Sequence, residues 1–375
     1  MSQLTRLWHF SRPKLALDLL NRVTQPSPGR TTLFGPRQTG KTTLLREEII
    51  PLAKTKGWLP VYADCWANRQ DPMESIAHAL QRGIDDLRVP AAGLQRTFGV
   101  QVKKVSVAGA GIELGEVAHR RQPTSSILRV DAILTELLRE TRQNVLLILD
   151  EFQTMATCEG AENASAALRA ALTQADKRVA VIFSGSSEVQ LQQLFSKSKT
   201  PLYGFAHSVP YEVLGQDFID FVATKFNAAT KRRIDTSKAL NVLTQLGHQP
   251  EPFLQCVTNA MAQPGWDVEE GLQAMLTYDV QNRWTALFMG LTDLQQAALL
   301  LVHRGQPPTA ALSIKLAASM VAKTSIPASS MQRACEALEQ IGLIQRIPGH
   351  TRSVWELADP VMDAWLCANK PLSLV

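Results

Sequence analysis

Short apolar runs alternate with longer segments of helical periodicity through the first half of this chain. Thr31-Thr32-Leu33-Phe34, Trp58-Leu59-Pro60-Val61-Tyr62-Ala63, Asn144-Val145-Leu146-Leu147-Ile148-Leu149 and Val179-Ala180-Val181-Ile182-Phe183 read as strands. Apart from the opening Asn144, the last two are apolar throughout, which is the pattern of strands buried on both faces in a parallel sheet covered by helices. Helices are predicted over Thr42 to Ile50, about Pro72 to Leu87, Ser125 to Arg142 and about Ala161 to Ala175. In the third of these, Ile127, Val130, Ile133, Leu134, Leu137 and Leu138 share one face. One spacer breaks the alternation. Val100 and Val102, then Val105 and Val107 beyond Lys103-Lys104, alternate with polar residues, and Gly109-Ala110-Gly111 then leads into Ile112-Glu113-Leu114. That pattern predicts a β-hairpin insertion at about 95–122.

Beyond residue 215 the periodicity is helical. Phe218, Ile219, Phe221, Val222 and Phe226 form one apolar face, and Leu240, Val242, Leu243 and Leu246 another, as in a small helical lid over 215–288. Thr292-Asp293-Leu294-Gln295 has the form of a capping box opening a helix to His303. Further helices are predicted over about Ala310 to Val321 and from Pro327 to Gly342, the last with Met331, Ala334, Cys335, Leu338 and Ile341 on its apolar face. Leu343 to Ile347 and Ser353 to Leu357, joined across Pro348-Gly349, complete a winged-helix domain over 289–375.

Composition bounds the class. The 375 residues, 45% of them apolar, suffice for two or three packed domains. No apolar run approaches the roughly 20 residues of a membrane span, and the start of the chain lacks a signal peptide's apolar stretch, so no membrane partner and a cytoplasmic location are expected. The five cysteines are scattered without any C-x-x-C pair and read as reduced thiols. The net charge of +5 is uneven: residues 1–60 carry ten Lys/Arg against three Asp/Glu. Part of that excess surrounds the segment with the clearest chemistry.

That segment is Gly35-Pro36-Arg37-Gln38-Thr39-Gly40-Lys41-Thr42, a complete G-x-x-x-x-G-K-[ST] loop between a strand and a helix. A polyphosphate must be wrapped by backbone N–H groups, and glycine allows the close turn this needs. The helix start, with Thr43 beside the loop, adds donors and a favourable dipole end. Lys41 is placed to reach the β- and γ-phosphates and the Thr42 hydroxyl to ligate Mg²⁺. The third predicted strand ends in Asp150-Glu151, which supplies a second Mg²⁺ ligand and a carboxylate able to polarise an attacking water.

Together these residues resemble the AAA+/STAND superfamily of P-loop ATPases over about residues 30–215. In particular they resemble prokaryotic ATPases related to origin-recognition-type AAA+ proteins. The loop, the hairpin insertion, the Asp150-Glu151 strand and the turn Ser184-Gly185-Ser186-Ser187 carry the resemblance. It extends to Pro201-Leu202-Tyr203-Gly204 and to Leu246-Gly247-His248-Gln249-Pro250. It implies an ASCE/AAA+-like three-layer parallel sheet core over 30–214, with a helical lid and a winged helix behind it. It implies ATP and Mg²⁺ as ligands, a nucleotide-bordering segment at 1–29 in which Phe10 or Arg12 contacts the base, and Pro250 brought to the nucleotide by the lid. Ser184 or Ser186 is expected to sense the γ-phosphate; the alternative is a serine-rich turn capping the helix near Glu188.

The chain departs from the family at the arginines. Phe205 stands where many relatives have arginine after Tyr-Gly, no arginine occurs between Arg178 and Lys231, and none follows Pro250 in its helix. Slow or partner-stimulated hydrolysis is therefore expected, with nucleotide-dependent self-assembly or a protein partner supplying what is missing. The expected output is DNA binding through the winged helix, with Ser329, Gln332 and Arg333 on a recognition helix and Arg346 and Arg352 on the wing facing double-stranded DNA. Glu336 and Glu339 count against this. The alternative is a STAND-like signalling or scaffold ATPase whose winged helix holds protein.

Overall fold

The computed structural model describes residues 8–27, 29–88, 125–175, 177–186, 188–347 and 354–369. The hairpin insertion at 95–122, Ser187 and Arg352 lie outside them. Five parallel strands form the core: β1 Arg30–Phe34, β2 Leu59–Asp64, β3 Val145–Asp150, β4 Val179–Gly185 and β5 His207–Pro210, in the spatial order β2-β3-β4-β1-β5. Every residue of β3 and β4 is buried. The pleat sends alternate side chains to opposite faces, so Leu147 and Leu149 join one apolar cluster and Leu146 and Ile148 the other. Helices cover both faces, giving three layers. β4 intervenes between β1 and β3, which places the chain reversal, and hence the ligand crevice, at the carboxyl ends of these strands.

The helix expected after the phosphate loop runs further than its apolar spacing suggested. It starts at Lys41–Thr43, takes π-helical form over Leu44–Ile49 and continues as Ile50–Thr55. Pro51 is tolerated because it occupies the first turn of the final piece. The helices Pro72–Arg88, Ser126–Glu140 and Ala161–Gln174 lie within two residues of their expected ends.

From Leu214 to Leu366 one continuous apolar cluster joins the helices that follow the sheet. These are Gln216–Thr230, Thr236–Gln245, Pro250–Ala262, Val268–Ala274, Gln281–Met289, Asp293–His303, Ala311–Met320, Ala328–Gln340 and Pro360–Asn369. The capping box forms, with the Thr292 N–H donating to Gln295 Oε1 at 2.9 Å. Arg232, in the Lys231-Arg232-Arg233 loop, donates to the carbonyls of Ala260, Gln263 and Trp266, and so caps a helix end. β6 Ile344–Arg346 and β7 Trp355–Leu357 pair antiparallel after the helix Ala328–Gln340. That helix buries Met331, Ala334, Cys335 and Leu338 as expected, but Ile341 is 59% exposed. The helix stops one residue earlier, at a Gly342 with φ of 77°, and Ile341 turns outward with it. Four cysteines are buried, whereas Cys367 is exposed. Among the described residues no helix is long and apolar enough to cross a membrane.

Candidate active site

The loop Gly35 to Thr42 leaves β1 and turns through two positive-φ residues, Gln38 at 61° and Gly40 at 93°. Lys41 begins the helix and is only 5% exposed. Its Nζ donates to the carbonyls of Gly35 at 2.6 Å and Pro36 at 2.5 Å, so the ammonium is folded back into the loop. Burial lowers its pKa to about 8, with the Glu151 and Asp150 carboxylates opposing the shift. Thr39 Oγ1 closes the loop on the Pro36 carbonyl at 2.8 Å.

Asp150 is delivered by the end of β3, beside the loop. Its Oδ2 accepts from Thr42 Oγ1 at 2.7 Å and from Tyr62 Oη at 2.8 Å, and its Oδ1 accepts from the Glu151 N–H at 3.0 Å. Tyr62, on β2, was not singled out in the sequence; burial and the Asp150 carboxylate push its pKa up, which keeps it a donor. Glu151 has left-handed backbone angles, φ 52° and ψ 36°. This turn directs the carboxylate toward the end of β4, where Oε2 accepts from Ser186 Oγ at 3.0 Å and from Gln153 Nε2. Gln153, 1% exposed, also accepts the Ser186 N–H at 3.3 Å. Gly185 makes this approach possible: a Cβ there would lie 2.4 Å from Gln153 Oε1.

Of the two serines open as phosphate sensors, the structure brings Ser186 to Glu151. β4 continues through Gly185, so Ser184 sits inside the strand, fully buried, and its Oγ has no hydrogen-bond partner among the described residues. The turn expected at Ser184 begins two residues later.

The amino-terminal segment comes to the loop from the other side. Trp8, Phe10, Arg12, Gly40, Leu214 and Pro250 line a single cavity, and Thr43 and Glu48 close it. Pro250 opens its helix there. Phe10 packs edge-on against Phe218, with ring centres 5.7 Å apart, and against Phe221. Glu48, which the π-helical stretch leaves on the buried side of its helix, accepts from the Arg12 N–H at 2.6 Å and Ser11 Oγ at 3.2 Å. Arg12 in turn donates to Tyr211 Oη at 2.6 Å and to the Glu212 carbonyl at 3.0 Å. Glu48, Tyr211 and Gln153 carried no motif; only the fold joins them to the loop.

Phe205, at the position where an arginine was missing, is a packing residue. It is buried, with Arg30 and Arg169 over its ring at 4.2 and 4.9 Å. Ser329, Gln332, Arg333 and Arg346 lie on the carboxyl-terminal helix and hairpin, away from the phosphate loop. Ser329 and Arg333 are exposed, Gln332 donates to Glu336, and Arg346 is paired with Glu339 at 3.0 Å.

The geometry is that of a site for a nucleoside triphosphate: a cavity, a phosphate loop, a buried lysine and a carboxylate pair in sequence. Comparison with known proteins agrees. Residues 13–184 match the model of the AAA ATPase domain. No curated protein matches the chain in sequence. Among solved structures, a Walker-type ATPase of Pyrococcus abyssi has a TM-score of 0.54 at 16% identity, with 96% of each chain covered. The ADP form of the Aeropyrum pernix ORC2 protein has a TM-score of 0.52 at 14% identity, covering 97% of this chain and 98% of that one. Residues 13–184 thus match an AAA ATPase domain, and the chain has the fold of a P-loop ATPase.

Proposed function

We propose that this ATPase is a switch in which the nucleotide state of the phosphate loop controls the carboxyl-terminal helices, with double-stranded DNA as the partner they engage. The observation that carries the reading is the mechanical link from loop to helices. Tyr211, which receives Arg12, donates to the Thr39 carbonyl, and Phe10 on the same segment is packed into the helix Gln216–Thr230. The turn before Pro250 abuts the last helix, since a Cβ on Gly247 would lie 2.4 Å from Pro360 Cγ. One apolar core then spans from Leu214 to Leu366, so a displacement at the cavity is carried to the hairpin. The likeness in fold to the ADP form of an ORC2 protein supports the same reading.

In this reading a core at 30–214, a lid at 215–288 and a winged helix at 289–375 divide the work. Lys41 and the loop N–H groups hold the phosphates, Glu151 takes the proton of the attacking water, and Ser186 rather than Ser184 reports the γ-phosphate to it. Mg²⁺ fits the donor set: Thr42 Oγ1 and Asp150 Oδ2 are hard oxygen donors 2.7 Å apart. Among the described residues no cluster of three or more His, Cys, Asp or Glu could hold a metal by itself. That suits an ion bound by one or two protein oxygens and otherwise by phosphates and water. When bound it neutralises phosphate charge.

The test is DNA binding and molecular size measured with ATP, with ADP and without nucleotide. Affinity for duplex DNA is expected to depend on the nucleotide, to fall steeply with salt and to weaken in Arg333→Ala. The carboxylates Glu336 and Glu339 beside Gln332 and Arg346 favour a second reading, in which the same face holds a protein. Nucleotide-dependent size without DNA binding at low salt would establish that one.

A further inference from the structure

We infer that Arg37 is the charge-stabilising arginine of this ATPase, supplied by the phosphate loop itself and aimed by Trp66; the inference rests on the ATPase assignment. The guanidinium of Arg37 lies over the Trp66 indole, 5.5 Å from the ring centre. Arg37 belongs to the loop after β1, and Trp66 to the short 3₁₀ turn Cys65–Asn68 after β2. In the sheet these strands are separated by β3 and β4. With adjacent strands about 4.8 Å apart, three steps put the two anchor points roughly 14 Å from each other. The Arg37–Trp66 contact therefore arches over the carboxyl ends of β4 and β3, where Ser186, Asp150 and Glu151 converge.

The far anchor is built to stay in place. The Trp66 N–H is fixed by Asp64 Oδ1 at 2.9 Å, and Thr154 Oγ1 donates to the Cys65 carbonyl at 3.3 Å, tying the turn to the segment just after Glu151. Arg69 stacks on the same indole at 3.4 Å. Among the described residues neither Arg37 nor Arg69 has a carboxylate within ion-pair distance. Two guanidiniums on one ring repel each other, and an arriving polyanion relieves that repulsion. Arg37 is also close enough to Lys41 to act on its charge.

In the reaction the water oxygen bonds to the γ-phosphorus and its proton passes to Glu151. The bond from that phosphorus to the bridging β–γ oxygen breaks with its electron pair leaving on ADP. Negative charge spreads over the γ-phosphoryl oxygens at that moment, beneath the arch, and the planar fork of Arg37 meets it there. Phe205 shows why the family position cannot serve: it is buried beneath Arg30 and Arg169.

The experiment compares wild type, Arg37→Ala, Arg37→Lys, Trp66→Ala and Trp66→Phe for kcat, KM, ADP affinity and affinity for ADP with aluminium fluoride, a mimic of the transferring phosphoryl group. Arg37→Ala should lower kcat by about 10²-fold or more, lose the aluminium fluoride complex and keep ADP affinity within about threefold. Arg37→Lys should not restore the rate, because ammonium lacks the planar fork. Trp66→Ala should share part of the loss in kcat, and Trp66→Phe should recover it, separating aim from mere stability. Arg37→Ala with unchanged kcat and aluminium fluoride affinity, or with ADP and transition-state affinity falling equally, overturns the inference. A wild type that neither binds nor cleaves ATP overturns the ATPase assignment itself.

Discussion

The hydroxyl of Tyr211 donates to the Thr39 carbonyl at 2.7 Å, and its ring lies along the phosphate loop from one glycine to the other. A Cβ on Gly35 would be 2.9 Å from Tyr211 Cβ, and one on Gly40 would be 3.4 Å from Tyr211 Oη. Tyr211 also begins the strand-to-helix connection that leads to Gln216–Thr230. A single side chain thus braces the loop and starts the path out of it.

Tyr211→Phe removes the hydroxyl while keeping the brace. The Thr39 carbonyl and the Arg12 guanidinium lose a partner, so unfolding free energy should fall by about 1–2 kcal/mol. ATP affinity should drop a few-fold. Denaturant unfolding and nucleotide titration measure both. Gly35→Ala should do worse, since its methyl meets the fixed ring; ATP binding should be lost even where the fold survives, as seen by circular dichroism.

The buried Lys41 gives ATP binding a pH dependence of definite sign. Its pKa is about 8 in the free protein, and phosphate oxygens favour the charged form, raising it in the complex. Above about pH 8 binding must take up a proton. Affinity should therefore be flat below pH 8 and weaken above it, by at most about tenfold per unit. Titration calorimetry in buffers of different ionisation enthalpy reads the proton directly. Lys41→Ala should bind ATP weakly at every pH and lose the dependence; unchanged affinity would refute the loop assignment. For the apo fold the sign is opposite: the folded pKa lies below the ordinary 10.5, so Lys41 costs stability below about pH 8 and that cost fades as pH rises to 10.5.

Glu151→Gln is nearly isosteric and keeps an acceptor toward Ser186 and Gln153, but cannot take a proton from water. ATP binding should be retained within a few-fold and turnover should fall by about 10²-fold or more. Single-turnover kinetics beside equilibrium binding separates the two. Undiminished turnover would remove Glu151 from catalysis.

Ser184 and Ser186 are distinguished by a pair of alanines. Among the described residues Ser184 Oγ is buried without a hydrogen-bond partner, so Ser184→Ala removes an unsatisfied polar atom and should leave stability unchanged or raised and turnover intact. Ser186→Ala frees Glu151 Oε2 from one donor and should lower kcat while sparing KM. The opposite pattern would return the sensing role to Ser184.

Much of the catalytic edge was legible because its signals are local. The turn from Gly35 to Thr42 depends on the backbone freedom of its own glycines, and the apolar run through Leu149 announces both a buried strand and the acid at its end. The end of β4 was placed two residues early, at Phe183, because apolar spacing marks where hydrophobic residues stop, whereas the strand runs on for as long as its neighbours supply backbone partners, here to Gly185 opposite Phe34. Ile341 failed for a similar reason, at a helix end set by Gly342.

By itself the sequence determined the ligand class, the three-layer parallel sheet, the Asp150-Glu151 pair and the run of helices after residue 215 with its closing hairpin, since each follows from residue type and short-range period. Only the tertiary structure decided what surrounds the loop. Tyr211 is 172 residues from Thr39, Tyr62 is 88 from Asp150, and Ser186 is 35 from Glu151. Such pairs leave no periodic trace, because they form between strand ends that become neighbours only through the order β2-β3-β4-β1-β5. The same ordering places Trp66 across the site from Arg37. Strand order is set by how helices cover the two faces of the sheet, a property of the whole chain.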